Sequence, residues 1–111
     1  MDITNHKLGT VTTVALRGRW DAATSKAVED HIMQLIDSGD RKLVIDLAHV
    51  EYISSVGLRV LILAAKRVKP MQGTVVVCAL KPAIKNVFEV AGFTSLFKEY
   101  GTRDEAVAGL G

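Results

Sequence analysis

The sequence predicts an α/β domain built on a mostly parallel or mixed sheet with helical cover. Segments patterned as strands alternate with segments patterned as amphipathic helices, the order expected of such a sheet. Two of the strand segments, Lys42–Leu47 and Thr74–Ala79, are continuous apolar runs too short for helices, as central strands buried on both faces require. The intervening segments repeat apolar residues with a helical period. At 111 residues and 49% hydrophobic, the chain is expected to fold as one domain without covalent staples. Aromatic residues make up only 5%, so Val, Leu, Ile and Ala must fill most of the core.

Each element has its own signal. Between Ile3 and Arg17 the pattern gives two strands joined by a turn at Gly9–Thr10. The second opens with the β-branched Val11, Thr12, Thr13 and Val14 and is expected to end at Gly18. From Asp21 the period changes. Val28, Ile32, Leu35 and Ile36 share one helical face, with Lys26, Glu29, Asp30 and Gln34 on the others. Asp21, Thr24 or Ser25 supplies its cap, and Gly39 ends it. Lys42–Leu47 follows as a strand, then a helix over about Val56 to Lys69 with Leu58, Leu61, Ile62 and Ala65 as its apolar stripe. Lys66, Arg67 and Lys69 complement the negative end of that helix, and Pro70 stops it. After the strand Thr74–Ala79, Pro82 opens a helix whose inward residues are Ile84, Val87, Phe88 and Ala91, closed by Gly92. A short strand near Phe97–Tyr100 precedes a last helix, whose start is marked by the capping-box spacing of Thr102 and Glu105.

Composition excludes several classes of function. Fourteen Lys and Arg face twelve Asp and Glu, scattered along the chain, so no basic stripe of the kind nucleic acids need is present. No apolar run approaches the roughly 18 residues of a membrane span, and the polar start MDITNHK is no signal peptide. A cytoplasmic protein with neither a nucleic-acid nor a membrane partner is expected. Cys78 is the only cysteine and lies in a strand-like run, which predicts a buried, inert thiol. Catalysis finds no support. The elbow G-x-S-x-G fails because Ile53 stands at its first glycine, there is no phosphate-binding G-x-x-x-x-G-K-[ST], and metal-ligand pairs at helical spacing are absent. His6 falls in a strand, His31 on the first helix and His49 in a loop before the serines. The chain is read as a non-enzyme without a cofactor.

The most informative stretch is DLAHVEYISSVGLRVL, Asp46–Leu61, which sets Ser54 and Ser55 between a strand and a helix. Either serine can cap that helix by accepting a hydrogen bond from its free N–H groups. Gly57 either admits a partner's backbone, avoids a clash, or is merely tolerated near the helix end. The stretch resembles the signature of STAS domains in bacterial anti-sigma factor antagonists, where a DLS-like strand end leads through [F/Y]-[I/M]-[D/S]-S-[S/A]-G-L into a helix. GRWDAATSKAVED resembles that family's G-x-L-D-x-x-T segment, and VFEVAGFTSLFKEYGTRDEAV resembles its closing segment.

The resemblance implies a STAS-like fold, a mixed four- to five-stranded sheet with about four helices packed mainly on one face. It implies an anti-sigma factor antagonist acting as a partner switch, with Ser55, two residues before the glycine, as the phosphorylation site. Asp21, Ser54, Ser55, Val56, Gly57 and Arg59 are then the partner-binding residues. The implied partners are an anti-sigma factor that is also a serine-protein kinase, using its own ATP and magnesium, and a metal-dependent serine phosphatase that restores the unmodified form. Two departures stand out: Ser54 where many relatives have Asp, and Val56 where Ser or Ala is usual. The alternative is a constitutive STAS subunit of a lipid-transport or stress-signalling complex, with Ser55 only a helix cap.

Overall fold

A computed structural model describes residues 1–111. The elements are β1 (Asp2–Leu8), β2 (Val11–Trp20), α1 (Ala22–Asp37), β3 (Lys42–Ile53), α2 (Ser55–Val68), β4 (Thr74–Cys78), α3 (Pro82–Val90), β5 (Glu99–Tyr100) and α4 (Arg103–Leu110), with short 3-10 turns at Lys69–Met71 and Phe93–Ser95. One sheet holds all five strands in the order β1-β2-β3-β4-β5. β1 and β2 form an antiparallel hairpin about Gly9, whose φ of 65° suits the tight turn. The remaining pairs are parallel.

This order dictates the layering. Each parallel step moves the chain one strand further across the sheet, and right-handed crossovers then put every connecting helix on the same face. α1, α2 and α3 accordingly share one core with Val14, Leu16, Leu43, Ile45, Leu47, Val75 and Val77. α4 follows the last strand, is bound by no crossover, and covers the other face, where Ala106 meets Val11, Val44, Val76 and Cys78. Both faces of the central strands are buried, as their apolar runs require. Phe88, Phe93 and Phe97 pack in sequence at 5.6 Å between ring centroids and close the α3 end of the core.

Several boundaries differ from expectation. β2 does not end at Gly18. It passes through that residue at φ 117° and continues to Trp20. β3 does not end at Leu47 but runs to Ile53, which places His49 in a strand beside Arg17 and not in a loop. Two bulges explain both errors. The β2–β3 register slips between Ala15 and Arg17 and again between Gly18 and Arg19, so β3 carries two more residues than β2 over the same span. Its core-facing residues are therefore Leu43, Ile45, Leu47, Val50 and Ile53, an alternation broken twice. The Asp46 carboxylate accepts from the Ala48 N–H at 3.0 Å at the first of these breaks.

Smaller differences follow from packing. β4 stops at Cys78, because Ala79 turns into the left-handed region at φ 58°. α2 ends at Val68, with Pro70 in the 3-10 turn beyond it. Ile62 and Ala65 only edge its buried stripe, which is made of Gly57, Leu58, Val60, Leu61, Ala64 and Val68. Ala91 is exposed just after α3 and takes no part in the core. In the basic cluster, Lys66 and Arg67 occupy the last turn of α2, and Arg67 donates to Asp37 of α1 at 2.6 Å.

Candidate partner-binding surface

Parallel neighbouring strands deliver their following helices side by side. Trp20, the end of β2, is paired with Ile53, the end of β3, and the next residues are Asp21 and Ser54. The Ser54 N–H donates to the Trp20 carbonyl at 2.9 Å, tying the two junctions together. The N-termini of α1 and α2 thus emerge at the carboxyl ends of the strands, where sheets of this type commonly present their binding groups.

Asp21 caps α1. Its Oδ1 accepts from the N–H groups of Ala23 at 3.0 Å and Thr24 at 3.2 Å, and Thr24 Oγ1 accepts from the Asp21 N–H at 3.0 Å. Thr24 therefore completes a capping box. Ser25 is buried and donates back to the Asp21 carbonyl at 2.7 Å, so it supports the turn without capping it.

Ser54 caps α2. Its backbone is extended, at φ −91° and ψ 172°, and its Oγ accepts from the Gly57 N–H at 3.3 Å. Ser55 is the first helical residue and is exposed, its hydroxyl free of the capping task. Val56 and Arg59 are exposed as well, and Arg59 stands four residues after Ser55 and three after Val56, so it neighbours both on the helix surface. Gly57 differs from the others. It is buried against Trp20 and Ile53, so avoidance of a clash is the role its surroundings give it. The structure therefore brings Asp21, Ser54, Ser55, Val56 and Arg59 to one end of the molecule, with Gly57 beneath them.

Two exposed residues escaped the sequence reading. Arg19 and Tyr52 are opposite one another across β2 and β3, and the Arg19 guanidinium lies 4.4 Å from the centre of the Tyr52 ring. Only their scarcity among six aromatics could have singled out Tyr52, and nothing in the sequence marks Arg19.

The end of the molecule that carries the serines is a surface and not a cleft. The largest cavity, about 640 Å³, lies over the β1–β2–β3 strands between Met1–Thr4 and His49, and neither serine lines it. No group of three His, Cys, Asp or Glu side chains converges to hold a metal. No helix is long and apolar enough to cross a membrane. Cys78 is buried, and burial together with the charge of Asp46 pushes its thiol up to about 12, partly opposed by Arg103.

A regulatory binding domain of the STAS type matches both this layering and this paired-helix surface, and the STAS domain model matches residues 2–106. The chain belongs to the STAS domain family. A Bordetella bronchiseptica chain described as an anti-sigma factor antagonist, BtrV, is 38% identical over 108 residues, covering 97% of this chain and 93% of its own. The crystal structure of an anti-sigma factor antagonist from Mycobacterium paratuberculosis superposes with a TM-score of 0.91 at 28% identity, covering 98% of this chain and 92% of that one. The Bacillus cell fate determinant SpoIIAA in its phosphorylated form shares the fold, with a TM-score of 0.78 at 14% identity over 99% of this chain and all of that one.

Proposed function

We propose that this chain is an anti-sigma factor antagonist that works as a phosphorylation-controlled partner switch. The observation that carries the reading is the division of labour between adjacent serines: Ser54 holds the helix, which leaves the exposed Ser55 hydroxyl available for modification. Unphosphorylated, the surface of Asp21, Ser54, Ser55, Val56 and Arg59 docks onto an anti-sigma factor and displaces its sigma factor. That partner, acting as a serine kinase, transfers the γ-phosphoryl group of its own ATP to Ser55 Oγ and releases ADP. A metal-dependent phosphatase hydrolyses the phosphoserine and resets the switch. A protein with no catalytic role of its own, working in the cytoplasm, fits this scheme.

The chemistry favours a switch that leaves the fold intact. A phosphate on the first residue of α2 meets free N–H groups and the positive end of the helix dipole. The same group adds roughly −1.5 to −2 charges to the middle of the docking surface, where its charge and hydration oppose association. Full-length likeness to antagonists, and a fold shared with a protein that has a phosphorylated form, support the reading.

The test compares Ser55→Asp with Ser55→Ala for binding to an anti-sigma factor. Ser55→Asp is expected to weaken binding at least tenfold, about 1.4 kcal/mol, with the domain still folded. Equal affinity of the two variants would refute the switch and favour a constitutive STAS binding subunit. Mass spectrometry of the Leu43–Arg59 tryptic peptide from native cells reads the modification directly, with Tyr52 and Ser54 as internal controls.

A further inference from the structure

Arg19 is the one surface arginine that is held in place without being satisfied. Its guanidinium rests on the Tyr52 ring at 4.4 Å, and its Nε stands 3.9 Å from Asp21 Oδ2. That separation gives charge attraction but is too long for a hydrogen bond. Asp21 is itself fixed, because its other oxygen caps α1. The backbone around Arg19 is fixed as well, since its carbonyl accepts from Thr24 Oγ1 at 2.8 Å. The side chain is nevertheless 61% exposed. Arg67 and Arg41, by contrast, spend guanidinium donors on Asp37 and on the Ile36 and Asp40 carbonyls.

The Arg19 side chain thus presents five N–H donors, oriented by an aromatic face and a carboxylate and turned toward solvent. A planar donor fork of this kind matches a carboxylate in two parallel hydrogen bonds. Holding the fork in advance reduces the ordering that binding would otherwise cost. Arg and Tyr are also the residue types, with Trp, that most often dominate protein interfaces.

We propose that Arg19, stacked on Tyr52, is a recognition anchor that binds an Asp or Glu side chain of the anti-sigma factor. The proposal rests on the partner-switch reading and adds a specificity-determining residue to it. Arg19 and Tyr52 alternate with the buried Trp20 and Ile53, so they face away from the α2 side of the sheet. The docking surface therefore wraps from the two helix N-termini around the strand ends. That placement favours a carboxylate arriving from the partner over the phosphate of Ser55 on the same chain.

The experiment uses the full chain, with each anti-sigma factor that is also a serine-protein kinase from the organism's own genome purified singly as probe. Affinities are measured for wild type, Arg19→Gln, Arg19→Lys, Arg19→Glu, Tyr52→Ala and Ser55→Asp. Arg19→Gln is expected to weaken binding about tenfold, Arg19→Lys to recover part of the loss, and Arg19→Glu to weaken it further. Changing one partner Asp or Glu to Lys should restore binding to Arg19→Glu, which a purely structural role of Arg19 would not produce. If Arg19→Gln binds within twofold of wild type while Ser55→Asp loses tenfold, the anchor is refuted and the switch stands. If Arg19→Gln loses affinity while Ser55→Asp does not, the anchor stands on a constitutive binding protein. A phosphorylated form whose melting temperature falls on Arg19→Gln, with no effect of that variant on the unmodified form's binding, identifies a phosphate latch within the chain and overturns the proposal. Failure of every probe to bind wild type overturns both readings.

Discussion

Gly57 lies flat against the indole of Trp20. A Cβ at Gly57 would stand 3.1 Å from two carbons of that ring and 3.0 Å from Ile53 Cγ1. The contact joins the last residue of β2 to the third residue of α2, and so fixes where the helix begins and how Ser54 and Ser55 are presented.

Gly57→Ala opposes two effects. Alanine gains about 1 kcal/mol in helix propensity, while overpacking a filled core costs about 1–3 kcal/mol. Trp20 is fully buried and its ring is rigid, so the steric cost should win, for a net loss of about 1 kcal/mol in urea unfolding. A shift in the emission of Trp20, the only tryptophan, should accompany it. A gain in stability would show that the indole yields freely.

The two serines should separate cleanly. Ser54→Ala removes the α2 cap and should cost about 1 kcal/mol, whereas Ser55→Ala should fall within about 0.5 kcal/mol of wild type. Ser55→Asp puts an anion in the first turn and should be neutral or stabilising by about 0.3–1 kcal/mol. Denaturant midpoints for the three variants check this ordering. Its reversal would assign the cap to Ser55.

Asp21 caps α1, and the proposed docking role can be separated from that task by substitution. Asp21→Asn keeps a capping oxygen and should change stability by less than about 0.5 kcal/mol, while Asp21→Ala should cost about 1–2 kcal/mol. Asn loses the charge and exchanges one acceptor oxygen for an NH2 donor but keeps the capping oxygen, so a fall in partner affinity shared by both variants reports on the interface. Binding and thermal melting, measured on the same preparations, distinguish the two roles.

Cys78 makes the fold sensitive to alkali. Its thiol is raised from 9.0 to about 12 in the native state, first by burial and then by the Asp46 charge. Above pH 9 the unfolded chain releases this proton and the native chain keeps it, so stability falls as pH rises toward 12, and the contribution is fully present below 9. The slope is about 1.4 kcal/mol per pH unit. Cys78→Ala should be less stable at pH 7 but should show a shallower decline between pH 9 and 11. Identical slopes for the two proteins would remove Cys78 from the account.

The elements with unbroken periods were legible in the sequence. The α1 stripe of Val28, Ile32 and Ile36, the Pro82 start of α3 and the Thr102 cap of α4 are where the pattern puts them. The far end of β3 was not, because its two bulges shift the inward residues from every second position to Val50 and Ile53. Gly18 misled for a related reason: it sits at a register shift inside β2, where a positive φ open to glycine serves the bulge and does not end the strand. Ser54 and Ser55 could be found, but which of them caps is decided by backbone geometry. Arg19 and Tyr52 meet only because two strands 33 residues apart come into register, a relation no local pattern carries.

The alternation at the strand ends separates two kinds of selection. Trp20, Ile53 and Gly57 hold the junction from inside, while Arg19, Tyr52, Val56 and Arg59 face outward with no share in the core. Outward positions can be exchanged at little cost to folding. On the proposed reading, a cell that keeps several such domains can therefore give each its own correspondent by rewriting a handful of surface letters, while the scaffold beneath stays the same.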